Sequence, residues 1–292
     1  MTGPGFGGRF PDAVDSVASA MVPHPRAKPR RRLGTIVWWL VFLLGFLYFF
    51  VPLLGTFLFS MREEPLFSAY AIVVNDPQFA QTLFYSFLVG VITIIASSIL
   101  IVPTAFWVRL RLPRLRPYIE FITLLPFVIP PIILVFGLIK SYSGSNPLPL
   151  AGSDFGSNIL LVAAYVVLSF PYMYRAVDTG LRAIDVRSLT EASQSLGAGW
   201  FTLLWRVIFP NLRVSLLSGA FLTLAIVVGE YTIATFLARP AFGPYIALIG
   251  GNLAYEPAAV SLISFALTWI AMGLLALVGR ESRQKIQIAG AH

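Results

Sequence analysis

The sequence predicts an all-α membrane protein with six transmembrane helices and both termini on the cytoplasmic side. Three observations carry this reading. Of 292 residues, 57% are hydrophobic and only 12% charged. An ordinary soluble domain carries roughly 25% charged residues, so a soluble enzyme is excluded. The apolar residues gather in uncharged runs long enough to cross lipid, which takes about 20 residues as a helix. The basic residues fall almost wholly on one side of those runs. A β-barrel is the other fold that satisfies its backbone in lipid. It would show segments of about 10 residues alternating apolar and polar, whereas these runs are apolar on all faces.

Residues 1–34 are rich in Gly and Pro and lack hydrophobic periodicity, so they read as a disordered basic cytoplasmic tail. Arg30, Arg31 and Arg32 close it as a stop against the inner leaflet. No basic helix or aromatic-basic surface accompanies the run, so no nucleic-acid partner is expected. Leu33 to Met61 is uncharged for 29 residues and gives a first span near 35–60. It exceeds the apolar core of about 7–15 residues in a cleaved signal peptide, so it reads as a retained helix.

Pro77 to Val108 is uncharged for 32 residues and Phe121 to Ile139 for 19, giving spans near 81–108 and 120–140. Phe155 to Tyr174 adds 20 residues and a span near 157–175. Val214 to Gly229 is uncharged for 16 residues and the run resumes after Glu230 through Ala238, giving a fifth span near 212–238. Pro257 to Gly279, 23 residues, gives a sixth near 258–279, and 280–292 is a second cytoplasmic tail. The six-helix transmembrane unit as a whole runs 35–279.

Prolines interrupt several spans: Pro52 in the first, Pro103 in the second, Pro126, Pro130 and Pro131 in the third. Each removes a backbone donor and kinks its helix. In the third span they read either as packing kinks or as the mark of a path that changes shape. The two halves show no matching pair of broken helices, which argues against an inverted-repeat secondary transporter.

Orientation follows from lysine and arginine. With the N-terminus inside, 18 of the 21 basic residues are cytoplasmic, and only Arg62, Lys140 and Arg239 lie outside. This split also accounts for the formal charge of +8. Asp154, Asp76, Glu63, Glu64 and Glu256 fall in outer loops, where they either keep the loops wet or meet an extracytoplasmic partner.

The longest cytoplasmic segment, Arg175 to Arg213, is neither a short turn nor a polar linker. Ser188 with Glu191 has the spacing of a capping box, so a helix is expected to begin near Ser188. Leu189, Ala192 and Leu196 share one face at helical spacing. Gly197-Ala198-Gly199 breaks that helix. A second short helix, Trp200 to Phe209, is expected to end at Pro210, where the fifth span enters the membrane. Two short amphipathic helices joined by glycine suit docking to a soluble partner.

Here the chain resembles the permease subunits of binding-protein-dependent ABC importers, whose EAA loop reads Glu-Ala-Ala, three residues, Gly, nine residues, Ile, one residue, Leu-Pro. This sequence has Glu191, Ala192, Ser193, then Gly197, then Val207, Phe209 and Pro210. Spacing matches throughout. Ser193, Val207 and Phe209 are mild departures. The likeness covers about residues 80–280, with the loop at about 181–210. It implies the type I importer permease fold in a bacterial cytoplasmic (inner) membrane. It implies an ATPase dimer gripping the EAA loop, a second permease subunit, homologous or identical, and an extracytoplasmic solute-binding protein. Those roles fall on Glu191, Ala192, Ser193, Gly197, Val207 and Pro210. The chain itself is expected to bind no ATP and to need no cofactor, since it has no Gly-x-x-x-x-Gly-Lys-Ser/Thr phosphate loop.

The solute is less legible. Gly229 to Leu237 resembles permeases of the spermidine/putrescine type, which points to a polyamine. That branch also takes in carriers of iron, thiamine and phosphonates. Glu230 is the lone acid well within an apolar run, which makes it a functional candidate because an ionisable group in lipid is costly. One reading has Glu230, with Tyr231 and Thr232, holding a cationic solute by charge and cation–π attraction. The other has a carboxylate facing the bundle and bonded to a neighbouring helix.

An autonomous secondary transporter or channel would need its own coupling acids, and only Glu230 qualifies. An intramembrane enzyme would need paired aspartates, a Ser-His pair or a His-Glu metal site in the spans. Cysteine is absent, and both histidines, His24 and His292, lie in the tails, so no metal site or catalytic residue is expected.

Overall fold

The computed structural model describes Gly3 and residues 32–144 and 146–289, with side chains described from 35 to 273 apart from 145. The expected tail at 1–34 lies outside the described residues save for Gly3 and the first helical positions. Among the described residues the regular structure is helical throughout. The chain divides into two compact units, Met1–Pro52 and Leu53–His292. The first holds most of α1 (Arg32–Ser60), whose side chains from Ile36 to Val51 are exposed and apolar.

The second unit follows as α2 (Ser68–Asn75), α3 (Pro77–Arg111), α4 (Arg116–Val128) and α5 (Pro131–Tyr142). Then come α6 (Asp154–Arg182), α7 (Val186–Ser195), α8 (Trp200–Gly229), α9 (Thr232–Phe236), α10 (Phe242–Asn252) and α11 (Glu256–Ala289). Among the described residues five helices are long and apolar enough to cross a membrane, and six spans result if the bent pair α4–α5 counts as one.

The core is the packing of α3, α6 and α8 on one another. Ile101, Val102 and Phe106 of α3 meet Met173, Val177 and Leu181 of α6 and Leu203, Ile208 and Leu212 of α8. Lipid supplies no hydrophobic drive between helices, so close van der Waals approach at small residues must hold them. A Cβ on Gly180 would stand 2.4 Å from Ser215 Oγ, and one on Gly219 2.8 Å from Met173 Sδ. The hydroxyls of Ser97 and Ser169 add a buried hydrogen bond of 2.6 Å between α3 and α6.

Three expectations need correction. The third span is not continuous: α4 and α5 are bent by 97° at Ile129–Pro130. Consecutive prolines remove two donors, and the first forces Ile129 into extended backbone (φ −86°, ψ 115°). The fifth span ends at Gly229 rather than running to 238. Glu230 is extended (φ −75°, ψ 128°), and its carboxylate takes the N–H groups that would have prolonged the helix. Breaks therefore occur in both halves of the chain, where none was expected to match.

Nor does Pro210 end a helix. Trp200–Gly229 runs on through 30 residues, with a π-turn at Leu203–Ile208 that ends two residues before the proline. The wider π-turn leaves room for a ring that would clash with the preceding turn of an α-helix. Asn211 Nδ2 donates to the Val207 carbonyl over 2.7 Å, covering an acceptor that the irregular turn exposes.

Candidate functional site

The segment from α6 to α8 builds a short helix and a turn at the end of the bundle expected to face the cytoplasm. α7 starts two residues before Ser188. Its cap is Asp185, whose Oδ1 accepts from the Ser188 N–H at 3.1 Å and whose Oδ2 accepts from the Ser188 hydroxyl at 2.7 Å. These bonds hold the Asp185 carboxyl below its ordinary pKa. The expected capping box does not form. Glu191 pairs with Arg187 one turn back, at 2.8 Å.

At the far end of α7, Gly197 N–H donates to Gln194 O and Ala198 N–H to Ser193 O, the closure of a helix that ends on a left-handed residue. Gly197 has φ +80°, and nothing lies within 4 Å of where its Cβ would be. Glycine is thus required for backbone conformation, not for space.

Of the residues expected to serve docking, Glu191, Ala192, Gly197 and Pro210 are exposed and Ser193 partly so, whereas Val207 packs against the core. Two residues without an assigned docking role stand out more. Leu196 is 89% exposed and Phe201 75%, one on each side of the glycine turn. Helical periodicity puts Leu196 on an apolar face, but it does not show that the face lacks a partner within the chain.

Beneath this segment Asp178 gathers three arginines from three elements. Arg116 Nη2 lies 3.0 Å and Arg182 Nη2 2.7 Å from Asp178 Oδ2, with Arg109 at 3.9 Å from Oδ1. Arg116 also bonds Glu120 at 2.9 Å. In the sequence these arginines register only as positive-inside charge; their convergence requires the fold.

The second candidate group lies at the break after α8. Glu230 is 9% exposed. Its Oε1 accepts from the Ile233 N–H at 2.8 Å. Its Oε2 accepts from the Ala234 N–H at 3.1 Å and from the Tyr165 hydroxyl at 3.0 Å. Glu230 therefore starts α9 and ties it to α6. Gly243 lets α10 close on the same spot, since a Cβ there would stand 2.2 Å from Glu230 O. Tyr231 is 49% exposed and Thr232 partly buried.

Nearby acids are likewise engaged rather than free. Arg239 pairs with the Asp154 carboxylate and donates to the Asp154 carbonyl at 3.1 Å. Asp76 caps α3 through the Gln78 N–H and accepts from the Tyr245 hydroxyl at 2.8 Å. Glu256, placed in an outer loop by the sequence, is 5% exposed at the start of α11. A groove of about 520 Å³ between α4, α6 and α8 is lined by Phe127, Tyr172, Arg175, Ser215 and Ser218 among others. Glu230, Tyr231 and Thr232 are not in its wall.

Comparison with known proteins agrees with this architecture. Residues 101–283 match the family described as binding-protein-dependent transport system inner membrane component. The chain belongs to that family: it is an ABC importer permease subunit and a multi-pass inner-membrane protein. It is 32% identical to a probable ABC transporter permease protein, y4fN, of Sinorhizobium fredii over 146 residues, which are 49% of this chain and 26% of that one. The chain therefore spans only about a quarter of the length of that relative.

Two further relatives carry solute names. The spermidine/putrescine transport system permease protein PotB of Haemophilus influenzae is 25% identical over 68% of this chain and 73% of its own. A probable sulfate transport system permease protein, cysT, of Chlorokybus atmophyticus is 27% identical over 64% of this chain and 67% of its own. Among solved structures, the fold resembles a chain of a bacterial ABC transporter involved in the import of the acidic polysaccharide alginate. The TM-score is 0.67 at 14% identity, over 87% of this chain and 96% of that one.

Proposed function

We propose that this permease moves a small solute inward, driven by a separate ATPase dimer that docks on α7 and the Gly197 turn. The observation that carries this is the pair Leu196 and Phe201, large apolar side chains exposed on either side of a glycine turn, beside the motif Glu191-Ala192-Ser193. In this reading the turn enters a cleft on the ATPase, and both termini and residues 175–213 face the cytoplasm. A second permease subunit completes the path, and a binding protein delivers solute from outside. The solute best supported is a polyamine such as spermidine or putrescine, on the likeness to PotB.

Glu230 contributes by fixing the turn after α8, and half-exposed Tyr231 with Thr232 presents the surface that solute passes. The inner-face assignment is tested by a cysteine at Ser193 in this cysteine-free chain. Labelling by an impermeant reagent from outside intact cells would overturn it. Solute class is tested by thermal shift of the co-purified binding protein against spermidine, putrescine, sulfate, iron, thiamine and a phosphonate. A shift with spermidine or putrescine alone is expected, and a shift only with an anion would reverse the charge of the assigned solute.

A further inference from the structure

The start of α8 is tied to the end of α3 by a cation held against two indoles. Arg111 Cζ lies 5.2 Å from the centroid of the Trp200 ring and 5.5 Å from that of Trp107. The indoles stand 5.0 Å apart at 57°. Trp200 also meets Phe106 edge-on at 6.3 Å, and Phe106 is fully buried in the core. Guanidinium faces of this kind are attracted by the negative faces of indole rings. Inner-side positive charge by itself requires no such geometry, since any exposed lysine or arginine supplies it.

The place of this clasp in the fold gives it a role. Trp200 is the first residue of α8, directly after Gly199. Arg111 and Trp200, with Arg187, Glu191 and Gln194, wall a cleft of about 370 Å³ beside α7. The covalent link from α7 to α8 is Leu196 to Gly199, which contains a left-handed glycine with open space around it. Displacement of α7 alone can be taken up in that link. The clasp lies beyond that link, on the Phe201 side of the turn, and fastens it to α3, a helix of 35 residues that spans the bundle.

Building on the docking role proposed for α7 and the turn, we infer that Arg111 is a positioning residue for coupling. It clamps Trp200 on Trp107, so that movement imposed on the docking turn at its Phe201 side reaches the end of α3 and does not pass along α8 alone.

The test uses the full chain in complex with its ATPase in nanodiscs, with ATP plus vanadate as the probe and hydrogen exchange as the readout. In the wild type, trapping with nucleotide alters exchange both at 187–199 and at 105–111. In Arg111→Gln the change at 187–199 stays, while that at 105–111 falls at least about threefold, the scale of a lost coupling contact. Arg111→Lys, which keeps the cation without the planar face, falls between. Trp200→Phe, which keeps an aromatic face, gives a second and milder loss.

An Arg111→Gln response at 105–111 equal to the wild type overturns the inference. Loss of both responses in Arg111→Gln and Trp200→Phe, with the ATPase still bound, also overturns it, because the clasp would then only shape the docking surface. A wild type that responds at 105–111 but not at 187–199 sinks the docking reading itself. A wild type that responds only at 187–199 sinks the clasp alone.

Discussion

The hydroxyl of Tyr165 donates to Glu230 Oε2 across 3.0 Å, joining the middle of α6 to the first residue beyond α8. Both residues are buried. Removing one partner of a buried bond to a carboxylate costs about 1.5–3 kcal/mol, so Tyr165→Phe is expected to lower the thermal unfolding temperature measurably. Glu230→Gln should cost at least as much, because an amide nitrogen then opposes one of the two N–H donors at the start of α9. If Glu230 serves to fix the turn, Glu230→Gln reduces maximal uptake and leaves the half-saturating solute concentration unchanged. A rise in that concentration with stability intact would instead make Glu230 a solute contact.

Two glycines separate backbone from side-chain contact. A Cβ on Gly243 would strike the Glu230 carbonyl at 2.2 Å, and backbone cannot swing aside. A Cβ on Gly90 would meet Leu224 Cδ1 at 2.7 Å, the end of a flexible side chain. Overpacking costs typically about 1–3 kcal/mol. Gly243→Ala is expected at or above the top of that range, with the turn after α8 displaced, and Gly90→Ala near or below the bottom. Thermal melts of the two variants in one detergent check this, and equal losses would contradict the assignment.

The fold class was legible because it rests on long averages. Uncharged runs do not depend on any single contact, and they located every long helix among the described residues. What stayed hidden was local competition for backbone groups. Glu230 sits in an apolar run, and nothing in its neighbours says that its carboxylate will accept the N–H groups of Ile233 and Ala234 and so end a helix. At Pro210 the reverse happened: a strong stop signal was overridden, because a π-turn and Asn211 accommodated the ring. The motif from Glu191 to Pro210 could be read by spacing alone. The apolar residues that project beside it, Leu196 and Phe201, became visible only once the chain was seen to leave them uncovered.

At Gly197 the requirement is conformational. A residue with Cβ at φ +80° is strained by about 1–2 kcal/mol, and Asn tolerates the region better than Val. Gly197→Asn is therefore expected to retain most ATPase association, Gly197→Val to lose much of it, and Gly197→Trp to stop coupled ATP hydrolysis while leaving membrane insertion intact. Pull-down of the ATPase and its hydrolysis rate in proteoliposomes report each step. Wild-type coupling in Gly197→Trp would remove the turn from the mechanism.

The cap of α7 sets its behaviour toward acid. Asp185 is held below its ordinary pKa of 3.8 by the bonds from Ser188 that favour its charged form. Its folded pKa is thus lower than its unfolded one. The stabilisation it gives is complete above 3.8 and is lost as pH falls through the depressed value. Protection of the Ser188 amide, corrected for intrinsic exchange, should be flat from pH 7 to 5 and decline only below the ordinary carboxylate range. Asp185→Asn should lessen that acid dependence. A decline already complete at pH 5 would show that another group controls the start of α7.

The π-turn at Leu203–Ile208 also makes chain length in this region an angular quantity. Such a turn accommodates one residue more than regular α-helix, and each residue of an α-helix advances the azimuth by about 100°. Deleting one residue within Leu203–Ile208 would let the turn relax to regular winding, and what precedes it would keep nearly its present azimuth, because the π-turn holds that residue without turning further. An added residue meets no such slack and would rotate everything before it by about 100° relative to the membrane-crossing part. Phe201 would then aim elsewhere although no residue near it had changed. The interval between Gly197 and Pro210 therefore tolerates shortening by one residue better than lengthening by one, an asymmetry that regular helix would lack.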